Sequence, residues 1–164
     1  MRGWQVNSLL SFFSGLPFNV TAGQNYSGSF EGKDRVNVTG DPFSGGPVNH
    51  SVANGFVQWL NPAAFSFPAA GTFGNELRNQ FHGPGFADVD LSVFKTTPIT
   101  ERIKAQIRVE MFNIFNTTNL PRPNATLSSG SFGRIGDTIG DANGATGIGA
   151  GEPFNVQLAL KIIF

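Results

Sequence analysis

The chain has 164 residues, no cysteine, and 11 basic against 11 acidic side chains, for a formal net charge of zero. Only 13% of residues are charged, against a usual share of about 25% in soluble domains. A neutral chain poor in Lys and Arg lacks the basic face that nucleic-acid binding requires. The missing Cys removes disulfide frameworks, thiol chemistry and Cys-type zinc sites, and no apolar run reaches the ~18 residues of a transmembrane helix.

The first predicted strand covers roughly 3–22. Trp4, Val6, Leu10 and Phe12 share one parity, and Gln5, Asn7 and Ser11 the other, with Leu9 breaking the pattern. A secretory signal peptide fits poorly here, because Gln5, Asn7, Ser8 and Ser11 interrupt the apolar run and no small-x-small cleavage site follows. A long loop rich in Gly, Pro, Asn, Ser and Thr then spans 23–85.

The second strand is expected over 86–95, FADVDLSVFK. Val89, Leu91 and Val93 form an apolar face, and Asp88, Asp90 and Ser92 a polar one. A short break at Thr96–Thr100 contains Pro98, which has no N–H to give a ladder. The third strand is expected over 101–116. Ile103, Ala105, Ile107, Val109 and Met111 lie on one face, and Lys104, Gln106, Arg108 and Glu110 on the other. Strict alternation rich in Ile and Val favours strand over helix. About fifteen residues at ~3.4 Å each would give a strand of roughly 50 Å. Phe112 and Phe115 would then lie at the outer membrane interface and Phe164 at the inner one.

These two strands are expected to form an antiparallel hairpin turning near Pro98. Val89 would then meet Ile107 and Leu91 would meet Ala105. Asp88, or Asp90 after a shift of register, would face Arg108. A second long loop covers 117–152, and a last strand 153–164. In that strand Phe154, Val156, Leu158, Leu160, Ile162 and Phe164 are all apolar and of one parity.

Long loops alternating with one tight turn are the pattern of an outer-membrane β-barrel. The fold expected is therefore all-β: about four antiparallel strands at the C-terminal end of a transmembrane barrel, with long extracellular loops. The apolar set Val89, Leu91, Val93, Ile103, Ala105, Ile107 and Val109 would meet lipid. Asp88, Asp90, Lys104, Arg108 and Glu110 would form ion pairs facing the lumen. Four strands cannot close a barrel, and open edges are not tolerated in lipid, so the chain is expected to be a fragment of a longer barrel or one part of an assembly.

Catalytic signals are weak, and no enzyme activity, cofactor or metal is expected. His50 and His82 fall in loops without a carboxylate at useful spacing. Gly28, Gly32 and Lys33 are too closely spaced for a phosphate loop. Asp137, Asp141 and Asn143 offer oxygen ligands in a Gly-rich loop, but the order of a calcium hand fails at Ala145. N-x-S/T triplets begin at Asn19, Asn25, Asn37, Asn49, Asn116 and Asn124. Loops rich in Asn, Ser and Thr produce such triplets by composition alone.

The order GWQVNSLLSFFSGLPFNVTAG, VQWLNPAAFSFPAAGTFGNELRNQFHGPGFADVDLSVFK, FNIFN, FGRIGDT and a closing FNVQLALKIIF resembles the C-terminal end of TonB-dependent receptors of the Oar-like, acidobacterial type. Its most specific parts are Asn61–Phe65, Gly83–Phe86 and Phe112–Asn116. The resemblance implies a barrel of about 22 strands with an N-terminal plug and energy supplied through TonB, in the outer membrane of a Gram-negative bacterium. No plug or TonB-contacting segment is present in this chain. The last strand, with Val156, Leu158, Leu160, Ile162 and Phe164, would be the signal read by the barrel-assembly machinery. The partners implied are outer-membrane lipid, the rest of the barrel and plug, the assembly machinery and, through the plug, the TonB system. The resemblance makes energy-coupled passage of a siderophore, glycan or peptide across the outer membrane the leading functional expectation. An adhesin or porin-like barrel is the second, and a soluble all-β binding module the third.

Overall fold

The computed structural model describes residues 3–30, 33–142 and 152–164. Among these the fold is all-β, with a helical turn at Ile139–Ala142 and a 3-10 turn at Pro62–Ala64 as its helical pieces. The chain divides into two compact units. One holds residues 1–14, 85–120 and 138–164, and the other residues 15–84 and 121–137.

The first unit is a four-stranded sheet. Its strands are β1 (Trp4–Phe13), β2 (Phe86–Pro98), β3 (Lys104–Phe112) and β4 (Asn155–Ile163). They lie in the order β1-β2-β3-β4, and every pair is antiparallel. Each has at least nine residues, enough for a tilted span that needs about 9–11.

The hairpin between β2 and β3 is antiparallel and keeps the expected parity, but its register differs. Leu91 pairs with Met111 rather than Ala105, and Val93 rather than Val89 sits in the middle, opposite Val109. The cause is local. Pro98 does not break the ladder but closes it as the last residue of β2, opposite Lys104, where a missing N–H is tolerated. The turn lies beyond it. Ile99 N–H donates to Ile103 O at 2.8 Å, and Thr100 Oγ1 accepts from Ile103 N–H at 3.1 Å. Ile103 therefore belongs to the turn and not to the strand face on which it was expected.

β3 is correspondingly shorter than the expected 101–116. It ends at Phe112 because Asn113 and Asn116 take left-handed conformations, with φ of 47° and 48°. Asn113 is an extra residue in the ladder: Ile114 N–H returns to Val89 O at 2.9 Å, while Asn113 N–H donates to the Asp90 carboxylate at 3.0 Å. The Asn113 side chain then donates to Thr117 O and Glu152 O, so it ties together the chain leaving β3 and the chain entering β4.

β1 ends at Phe13 rather than near 22. Past Gly15, Pro17–Phe18 forms a separate short strand with Phe81–His82, and Thr21 bridges to both Arg35 and Thr126. These residues belong to the second unit, which contains most of what the sequence presents as loops. It has its own core of Phe18, Val20, Ala22, Val36, Leu60, Ala64, Phe65, Phe81 and Phe132. Phe81 is the hub, with ring centroids 5.9 Å from Phe18, 5.5 Å from Phe65 and 6.2 Å from Phe43. Burying a side chain of this size contributes roughly 1.5–3 kcal/mol. Asn61 starts the 3-10 turn by accepting from Ala63 N–H at 3.1 Å, and its amide donates to Ser44 O at 3.0 Å. Gly133 requires its small size: φ is +74°, and a Cβ there would lie 2.9 Å from Leu60 O. Its own carbonyl accepts from both Trp59 and Leu60 N–H.

Candidate functional site

In the sheet unit the two faces are chemically distinct, and the register carries each across all four strands. One face aligns Val6, Val93, Val109 and Leu158, and beside them Leu10 with Val89, and Ile107 with Leu160. Ala105 lies on this face opposite Ile162, and Leu91 lies on it between Ser8 and Met111. Several of these apolar side chains stand in the open: Val6 is 63% exposed, Ile107 56%, Leu160 69% and Leu158 76%. Trp4 and Lys95 pair at the end of this face, with the ammonium 5.1 Å from the ring centroid.

The opposite face carries Gln5, Asn7, Asp88, Asp90, Ser92, Thr96, Lys104, Gln106, Arg108, Glu110 and Gln157, with Leu9, Phe13, Phe86, Phe94 and Ile163 as apolar exceptions among them. The expected Asp88–Arg108 pair does not form, and Asp90 does not take its place. Arg108 stands opposite Phe94, with its guanidinium 4.4 Å from the ring centroid. Asp88 stands opposite Ser11, and Asp90 accepts from Asn113 N–H. Glu110 faces Ser92 and Gln157, while Lys104 faces Pro98 and Ile163. The reason is the register: sliding the turn past Pro98 moves Arg108 away from both aspartates. Asp88 Oδ1 and Arg108 Nε are buried and without hydrogen-bond partners among the described residues. Phe112, opposite Asn155, belongs to this polar-parity set, whereas Phe115 lies beyond the strand and is exposed.

In β4, Val156, Leu158, Leu160 and Ile162 share the apolar face, and all four are exposed, as is Phe164 beyond them. On their outer sides neither β1 nor β4 has a further strand among the described residues.

The second unit holds polar chemistry of another kind. Glu76 is buried, and its carboxylate accepts from Val20 N–H at 2.8 Å through one oxygen, while the other has no hydrogen-bond partner among the described residues. Burial pushes this carboxyl up to about 7, against the pull of backbone hydrogen bonds at Val20 and Val36 and of the Arg35 charge. Asp34 and Asp41 are held below the ordinary carboxylate value, Asp34 first by the Ser27 backbone N–H and Asp41 first by the Ser44 hydroxyl. His50 stacks on Trp59 with centroids 4.3 Å apart, and the Trp59 indole donates to the His82 carbonyl at 3.2 Å. No group of three or more metal-ligating acids and histidines occurs among the described residues. Asn143 and the side chain of Asp141, of the Asp137–Asp141–Asn143 set, lie outside the described residues.

The six N-x-S/T asparagines have a common structural use that composition did not reveal. In each, the side-chain oxygen accepts a backbone N–H: Asn19 from Asn79, Asn25 from Gly28, Asn37 from Asn75, Asn49 from Ser51, Asn116 from Phe154 and Asn124 from Thr126. They hold turns and cross-links in place.

A family model described as an outer membrane beta barrel domain matches residues 1–157. Neither a curated protein nor a solved structure shows a match to the chain.

Proposed function

The chain belongs to the outer membrane beta barrel domain family, and on that premise we propose that β1–β4 are consecutive wall strands of a TonB-dependent receptor of the Oar-like type. The family sets the location as the outer membrane of a Gram-negative bacterium. The observation that carries the reading is the continuous apolar face across all four strands, backed by a polar face and flanked by two open edges. A sheet exposed to lipid on one side and to a watery lumen on the other has this pattern. The edges need further strands, because unpaired backbone groups are costly in hydrocarbon.

In this reading Val89, Leu91, Val93, Ala105, Ile107 and Val109 contact lipid, and Trp4 with Lys95 anchors the sheet at one interface. Ile103 lies at the tight turn beyond the spanning segment. Asp88, Asp90, Lys104, Arg108 and Glu110 line the lumen, where Asp88 and Arg108 find partners in water or in other parts of the barrel interior. The second unit, which holds most of the residues read as surface loops, is the part that first meets a ligand. Passage then depends on a plug and on energy delivered through TonB. The role is binding and transport, with no catalytic step. The FNVQLALKIIF segment supports recognition of β4, with Val156, Leu158, Leu160, Ile162 and Phe164, by the barrel-assembly machinery.

The test is uptake in the native organism, with TonB present or deleted and the encoding gene intact or interrupted. Survival on a nutrient whose use requires both genes supports coupled transport. Uptake that needs this gene but not TonB would favour the porin-like reading.

A further inference from the structure

We propose that the hairpin of the second unit carries a binding subsite for a compact oxyanion, a carboxylate or phosphate group, with the Arg134 guanidinium as its anchor. The subsite is a hollow of about 200 Å³ on a three-stranded sheet, lined by Asn49, Ser51, Phe56, Gln58 and Arg134 among others. The hairpin, Asn49–Ala53 followed by Phe56–Gln58, is turned by Asn54 and Gly55 at φ of 55° and 79°. This is the Asn-Gly pair that a two-residue hairpin loop favours. Arg134–Ile135 pairs along the other side of Phe56–Gln58.

Arg134 is held from two directions. Its guanidinium lies 4.3 Å from the Phe56 ring centroid, and its Nε donates to Gln58 Oε1 at 3.2 Å. Gln58 is itself fixed, because its amide donates to Leu60 O at 2.7 Å and to Phe132 O at 3.3 Å. The fork is therefore oriented before any ligand arrives. Arginine has five N–H donors, and only the Nε–H is used among the described residues. No carboxylate pairs with the guanidinium there either. The two terminal amino groups are left for a planar acceptor, the geometry in which Arg binds carboxylate or phosphate through two bonds. Asn49 and Ser51 line the same hollow, and their side chains can offer neutral donors. Arg134 is exposed, but a guanidinium already held by Phe56 and Gln58 loses less side-chain entropy on binding than a free one. The inference rests on the second unit alone and does not depend on transport.

The test uses the full-length barrel protein in detergent micelles with every tryptophan but Trp59 replaced by Phe, Trp4 among them, so that Trp59, next to Gln58 in sequence and stacked on His50, reports through its fluorescence. Inorganic phosphate and glucuronate are the anionic probes, and glucose is the neutral control. The expected result is a saturable change with at least one anion and none with glucose. Arg134→Gln weakens it roughly tenfold or more, and Arg134→Lys, which keeps charge without the fork, falls between. The unliganded Trp59 spectrum and the unfolding midpoint of each variant verify that the unit is folded. Tighter binding of glucuronate assigns a carboxylate ligand, and tighter binding of phosphate assigns a phosphorylated one. Failure of both anions to saturate, or equal affinity in folded Arg134→Gln, would overturn the proposal.

Discussion

The two units of this chain use the same kind of residues in opposite ways. The wall sheet turns Val6, Ile107, Leu158 and Leu160 outward, while the second unit buries Val20, Val36, Leu60 and Phe81. In the wall the backbone is satisfied by long regular ladders, and in the proposed reading lipid takes the place of a core. In the second unit the strands are two to five residues long. There, asparagine side chains and a compact aromatic cluster replace the missing ladder. What differs is the solvent each unit is built for, and substitutions should separate the two.

The largest effect is expected at Phe81, which touches three other rings. Phe81→Ala should destabilise the second unit by about 3–5 kcal/mol, while the wall keeps its resistance to denaturant. The matching wall change, Leu158→Ala, should cost less, because lipid closes the vacated space. Urea unfolding followed separately by Trp59 and by Trp4 distinguishes the two. If Phe81→Ala lowers both signals together, the units are not independent.

A smaller effect, of opposite logic, sharpens the wall. Ile107→Arg places a charge on the apolar face and should cost about 2–4 kcal/mol at mid-bilayer. Gln106→Arg, one residue away on the polar face, should cost little. Equal costs in a liposome unfolding assay would refute the assignment of faces.

The smallest effect concerns pH. Glu76 has an ordinary value of 4.5 and is raised to about 7 in the fold. The folded unit therefore binds more protons than the unfolded chain between these values, and stability falls as pH rises through that window. Asp34 and Asp41, which are lowered, act in the opposite direction, and their contribution is lost only as pH falls below the ordinary 3.8. Glu76→Gln should remove the slope between about 4.5 and 7 and leave the second unit more stable than the parent at pH 8. A denaturation midpoint that declines with pH equally in both proteins would exclude Glu76 as its source.

The strands were legible in the sequence because a strand with two chemically different faces must alternate, and Val89, Leu91, Ile107, Leu158 and their neighbours share one face as their parity indicates. Register was not legible to the same degree. It depended on whether Pro98 broke the strand or ended it, and on Thr100 capping a turn one step further on. The Asp88–Arg108 pair failed with it. The second unit was nearly invisible for a different reason. Its core residues come from scattered positions such as Phe18, Val36, Leu60 and Phe132, and two-residue strands leave no period to detect. The motifs Asn61–Phe65 and Phe112–Asn116 marked the right places without disclosing their use, which is a capped turn in one and paired left-handed asparagines in the other. Arg134 carried no signal in the sequence beyond its place in FGRIGDT, because its support by Phe56 and Gln58 exists only once the hairpin has folded.

The chain has no native cysteine, so once any cysteine in the rest of the barrel is replaced, the central claim is directly measurable. Single cysteines placed in turn from Lys104 to Phe112 and from Asn155 to Ile163, in the barrel in liposomes, can be labelled with a fluorophore and quenched from lipid or from water. The account predicts strict alternation: positions 105, 107, 109, 111, 156, 158, 160 and 162 quenched by a lipid-soluble agent, and their neighbours by a water-soluble one. Uniform access from water along both strands, or alternation of the opposite phase, would contradict it.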